Sequence, residues 1–88
     1  MSSAVSIQIC PVEDVRVYHV RQQLTESSQM WFREHTEGIN GIAELILKIP
    51  GVASVFVFSY SVQISKAKLY RWDEIEPRIL EGLEPFAA

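Results

Sequence analysis

The chain has 88 residues, 48% hydrophobic and 22% charged, with eight Lys plus Arg against eleven Asp plus Glu and a net charge of −3. That length holds one domain, whose folding buries only ~60–65% of the surface that the unfolded chain exposes. The charge balance gives no field to draw in a phosphate backbone, which argues against nucleic acid as a partner, and no run of about 18 apolar residues is present to span a bilayer.

Residues 1–4 and 84–88 read as tails of a single domain covering 1–88. The opening Met1-Ser2-Ser3-Ala4 lacks the basic start and apolar centre of a secretory signal, so the cytoplasm is the expected compartment. Cys10 is the one cysteine and has no internal disulfide partner, in keeping with a reducing compartment.

Val5, Ile7 and Ile9 alternate with Ser6, Gln8 and Cys10, the period of a half-buried strand, and Pro11 ends it by removing a ladder donor. A second strand is expected over Val15 to Leu24, reached through a turn at Val12 to Asp14. Met30-Trp31-Phe32 reads either as a short third strand or as a loop plug. Asn40 is placed to cap a helix whose Ile42, Leu45, Ile46 and Ile49 share one face, with Glu44 and Lys48 paired on its surface. Pro50-Gly51 stops that helix and turns the chain into Val52.

Val55 to Phe58 is apolar on both faces, whereas Val62 and Ile64 alternate with Ser61, Gln63 and Ser65, so a hairpin turning near Ser59-Tyr60 is expected. Asp73 and Glu76 have capping-box spacing ahead of a helix from Glu74 to about Leu83, with Trp72, Ile75, Ile79 and Leu83 as its stripe. The expected fold is α+β: an antiparallel-rich sheet of four to five strands with two helices packed on one face.

Asn40-Gly41-Ile42-Ala43, Ile49-Pro50-Gly51-Val52, Val55-Phe56-Val57, Val62-Gln63-Ile64-Ser65-Lys66 and Trp72-Asp73-Glu74-Ile75-Glu76-Pro77-Arg78-Ile79 follow one another in the order and spacing of a known pattern. On these segments the chain resembles the N-terminal domain of the Nfu/NifU-type scaffold proteins of iron–sulfur cluster assembly. The first half departs from the family's usual Thr-Pro-Asn-Pro-Asn loop, since Cys10-Pro11-Val12-Glu13-Asp14 keeps only Pro11 clearly. The Cys-x-x-Cys domain that carries the cluster in full-length members has no counterpart here. Cluster iron is held by soft thiolates, and one cysteine does not make a ligand set.

The resemblance implies a non-enzymatic accessory or protein-interaction domain, standing alone, in iron–sulfur cluster assembly or iron handling. Its implied partner is a scaffold or client protein. No tightly bound cofactor is implied; weak iron binding by Cys10, Glu13 and Asp14 is. The other reading is a ferredoxin-like small-ligand or regulatory module, because Ile-Pro-Gly-Val before a Val-rich strand also occurs in such folds.

Read from the residues alone, Cys10, His19 and His35 are too far apart in sequence for a compact metal site. A Cys10–His19 nucleophile pair would need a stabilised thiolate and a substrate groove, and neither is marked in the sequence. In Val55-Phe56-Val57-Phe58, alternate residues must point away from a single helical layer. Either Met30-Trp31-Phe32 or Pro85-Phe86 folds over that side, or Trp31, Phe58 and Tyr60 form an exposed patch for a protein partner or a second copy of the chain, as a monomer or weak homodimer. Lys66, with Lys68 and Arg71, reads either as a basic spot for an acidic partner or as protection of a strand edge.

Overall fold

The computed structural model describes residues 5–39 and 41–87. In chain order the elements are β1 (Ser6–Ile9), β2 (Val15–His19), β3 (Gln29–Phe32), α1 (Gly41–Leu47), β4 (Val52–Val57), β5 (Ser61–Lys66) and α2 (Trp72–Leu83), followed by a single 3-10 turn over Glu84–Phe86. The strands form one sheet in the order β1-β2-β5-β4-β3. Every pairing is antiparallel. This is the expected α+β architecture, and Met30-Trp31-Phe32 is the edge strand β3 rather than a plug. The order of elements is not the alternating β-α-β-β-α-β of a ferredoxin-like fold.

β2 ends at His19, earlier than the sequence pattern implied. Beyond it the chain crosses the end of the sheet to reach the far edge, held there by Val20 N–H on the Tyr60 carbonyl at 2.9 Å and Leu24 N–H on the Ser59 carbonyl at 2.7 Å. The amides of Val20 and Leu24 thus find partners at the β4–β5 turn instead of in a ladder.

Both helices lie on one side. Ile42, Ala43, Ile46 and Leu47 of α1 and Ile75, Ile79 and Leu83 of α2 form one buried cluster with Tyr18, Val55, Val57, Val62 and Ile64 of the sheet. Leu45, expected on the buried face of α1, is instead exposed. A one-residue bulge at Ala53 shifts the β4–β5 register between Val52 and Ser54, which keeps Val52 on the same inward side as Val55 and Val57. The Pro85-Phe86 segment does not reach the other side: Phe86 packs on the helical core, and its carbonyl accepts N–H bonds from Arg21 and Gln22 at 3.2 and 2.9 Å. Residues 84–87 are therefore docked on the domain rather than loose.

Asn40, the expected cap of α1, lies outside the described residues. The other end of α1 is closed by a side chain from the β3 side: Arg33 donates through Nη2 to the carbonyls of Leu47 and Ile49 and through Nε to that of Val52, each at 2.8 Å. A guanidinium offers several coplanar donors, and the last helical carbonyls have no partners of their own. α2 starts two residues earlier than the sequence spacing indicated. Its N-cap is Arg71, whose N–H is accepted by the Glu74 carboxylate at 2.8 Å, so Glu74, not Glu76, supplies the reciprocal bond. Glu76 points inward because Tyr18 and Arg16 need it. Pro77 sits one turn inside the helix, where only the Asp73 carbonyl near the exposed start loses a donor.

Candidate functional site

In an antiparallel ladder, directly paired residues share a face, so the register maps the side of the sheet that no helix covers. Gln8, Val17, Gln63, Phe56 and Met30 stand in one row across all five strands. Val15, Ser65, Ser54 and Phe32 form the row on one side of it, and Ser6, His19 and Ser61 the row on the other. Phe58 follows β4 on the same side as Phe56, and their rings stack with centroids 4.4 Å apart and planes 8° apart. None of these residues is buried, and Met30 and Phe32 are 51% and 45% exposed.

The face is divided in its chemistry. The β3–β4 half carries Met30, Phe32, Phe56 and Phe58. The β1–β2–β5 half carries amides and hydroxyls around Val15 and Val17, with His19 Nε2 and Gln8 Oε1 2.9 Å apart. No Lys, Arg, Asp or Glu stands in these rows, although such residues make up 22% of the chain.

The aromatic patch expected from the sequence is thus present in part, and its membership changes. Phe58 belongs to it, and Tyr60 sits exposed at the adjoining turn. Trp31 does not. Its ladder partner is the buried Val55, so its ring points to the helical side, packs against the core and donates from Nε1 to Gln29 Oε1 at 3.0 Å. Met30 and Phe32, its neighbours, take the open side by the two-residue period. Lys66 also leaves the set of exposed candidates: its side chain is only 7% exposed, and its ammonium is 2.8 Å from Asp14 Oδ1. It is neither a free basic spot nor an exposed guard of a strand edge, because β5 lies between β2 and β4.

On the helical side a polar cluster ties α2 to the sheet. Glu76 Oε1 accepts from Tyr18 Oη at 2.7 Å and from Arg16 Nη1 at 2.6 Å, and the Arg16 guanidinium lies 4.9 Å from the Trp72 ring centroid. Trp72 Nε1 donates in turn to the Glu13 carbonyl at 2.9 Å. Burial, reinforced by the bond to Glu76, pushes the Tyr18 phenol well above its ordinary value, so it stays protonated and donating. Fifty-eight residues separate Tyr18 from Glu76, and no local motif announces the contact.

Asp14 is committed to Lys66, and among the described residues no three His, Cys, Asp or Glu side chains are grouped to hold an ion. His19 pairs with Ser6 at the far end of β1, about 13 Å of strand from Cys10, which rules out contact between thiol and imidazole in this fold. No helix among the described residues is long and apolar enough to cross a membrane.

Residues 5–88 match the family described as scaffold protein Nfu/NifU N terminal. The chain belongs to this family. Its fold is shared with solved structures at low identity. A Staphylococcus aureus protein, SAV1430, aligns with a TM-score of 0.75 and 18% identity over 91% of this chain and 98% of that one. A NifU-like protein from Saccharomyces cerevisiae aligns with a TM-score of 0.74 and 22% identity, covering 92% and 75%. SeR13 from Staphylococcus epidermidis gives 0.61 and 21%, covering 92% and 93%. No curated protein sequence matches significantly. Membership in the Nfu N-terminal family agrees with the resemblance drawn from the Asn40 to Ile79 segments.

Proposed function

We propose that this Nfu N-terminal domain is a non-enzymatic accessory in iron–sulfur cluster assembly or iron handling, acting in the cytoplasm by recognising a scaffold or client protein. The observation that carries this reading is the uncovered sheet face, where Met30, Phe32, Phe56 and Phe58 gather on a domain whose other side already encloses its core. Apolar and aromatic side chains set among neutral polar ones are the composition of a protein contact. Tyr60 extends this surface at the turn. Cluster iron belongs to the partner's thiolates, since this chain brings a single cysteine.

The test is a titration of the labelled domain with apo and cluster-loaded scaffold proteins, followed by backbone NMR. Shifts centred on residues 30–32, 56–60 and 63 are expected. Absence of shifts with both forms, or shifts confined to α1 and α2, would overturn the reading.

A further inference from the structure

The uncovered face is suited to its own copy. A surface that recognises an acidic or basic partner carries the opposite charge, and this one carries none across five strands. The same neutrality keeps like charges out of the contact itself between two molecules that each carry a net charge of −3.

Symmetry then selects the arrangement. A two-fold axis lying between two stacked sheets and perpendicular to their strands places β3–β4 over its own equivalent, aromatic half on aromatic half and amide half on amide half. Sheets stacked this way sit about 10 Å apart, a distance filled by side chains such as Phe56 and Gln63. We infer that this domain self-associates through its helix-free sheet face as a weak, isologous, salt-insensitive dimer.

Weakness follows from size. Five strands spaced about 4.8 Å apart, with paired segments about 15 Å long, give a footprint of roughly 360 Å² per copy. That is about half of the ~800 Å² that each partner contributes to a standard stable complex. The inference is separate from the iron–sulfur role: if the dimer fails, the partner titration above still stands or falls by itself, and if both hold they compete for one face.

The experiment is a dilution series of the isolated chain from about 1 mM to about 20 μM, read by backbone NMR and sedimentation. Concentration-dependent shifts are expected at residues 30–32, 56–58 and 63, with association changing less than about two-fold between 50 and 500 mM salt. Phe56→Ser should weaken association about ten-fold or more, as loss of a central aromatic contact does. Gln63→Glu keeps the side-chain shape at a half-exposed position and sets two carboxylates close together across the axis. It should weaken association several-fold at low salt, with partial recovery at high salt. Identical shifts and sedimentation at both ends of the series would overturn the inference. So would concentration-dependent shifts confined to α1 and α2, or a Gln63→Glu variant that associates like the parent.

Discussion

Replacing Gly51 by Ala should cost this domain a large part of its stability. Gly51 is buried at φ +100°, and a Cβ built there would lie 2.6 and 2.7 Å from Tyr70 ring carbons and 2.9 Å from Ile75 Cγ2. The backbone conformation alone costs about 1–2 kcal/mol for a residue with a Cβ. Forcing a methyl against a ring and a fully packed isoleucine adds about 1–3 kcal/mol, and the stiffer unfolded chain returns about 0.4–1 kcal/mol. The net loss is about 2–4 kcal/mol out of a total of about 5–15 kcal/mol. At about 4–8 °C per kcal/mol, thermal unfolding followed by Trp fluorescence should fall by about 10–30 °C. Gly38→Ala separates the two causes. Gly38 has φ +83°, but its built Cβ meets nothing nearer than Trp31 at 3.9 Å, so only the conformational part, about 1–2 kcal/mol, is expected. Equal losses at the two glycines would refute the packing argument, and a Gly51→Ala loss under about 1 kcal/mol would refute the whole of it.

The Tyr18 phenol binds its proton more tightly folded than unfolded, so its contribution is complete below pH 10 and is lost as pH rises above it. The unfolding free energy from denaturant titrations should fall there by up to about 1.4 kcal/mol per pH unit more in the parent than in Tyr18→Phe. Glu76→Ala leaves Tyr18 and Arg16 without their shared acceptor at a site only about one-fifth exposed, and urea unfolding should show a loss of about 2–4 kcal/mol, whereas Glu81→Ala on the exposed face of α2 should change stability by less than about 0.5 kcal/mol. Arg33→Met removes three bonds to carbonyls at 2.8 Å from a residue that is itself partly in solvent, for an expected loss of about 1–2 kcal/mol by the same measurement.

What could be read from the residues divides by range. Period-two alternation identified β1 and β5, a run apolar on both faces identified β4, and the spacing of Ile42 and Ile46 with Pro50-Gly51 identified α1, because each of these signals lies within one element. The same period, carried from Phe58 back to Phe56 and across Met30-Trp31-Phe32, contains the open face, but only the β3–β4 register decides that Met30 and Phe32 lie outward and Trp31 inward. Lys66 looked like a surface cation because nothing near it in sequence marks Asp14 as its partner. The α2 cap was misplaced by two residues because Asp73-x-x-Glu76 has cap spacing, while Tyr18 and Arg16, some sixty positions away, draw Glu76 inward instead. Arg33 and its three carbonyls were equally out of reach, since no local pattern reports which helix end an arginine from another strand will meet.

The guanidinium of Arg33 has a mechanical corollary. It joins the outermost strand to the exit of α1 and the entry of β4 through one rigid plane, so peeling β3 from the sheet also strips the acceptors at 47, 49 and 52 of their donors. Amide protons of residues 29–33 and 46–52 should therefore exchange with solvent as a single opening unit, at one common rate, ahead of the β2–β5 centre.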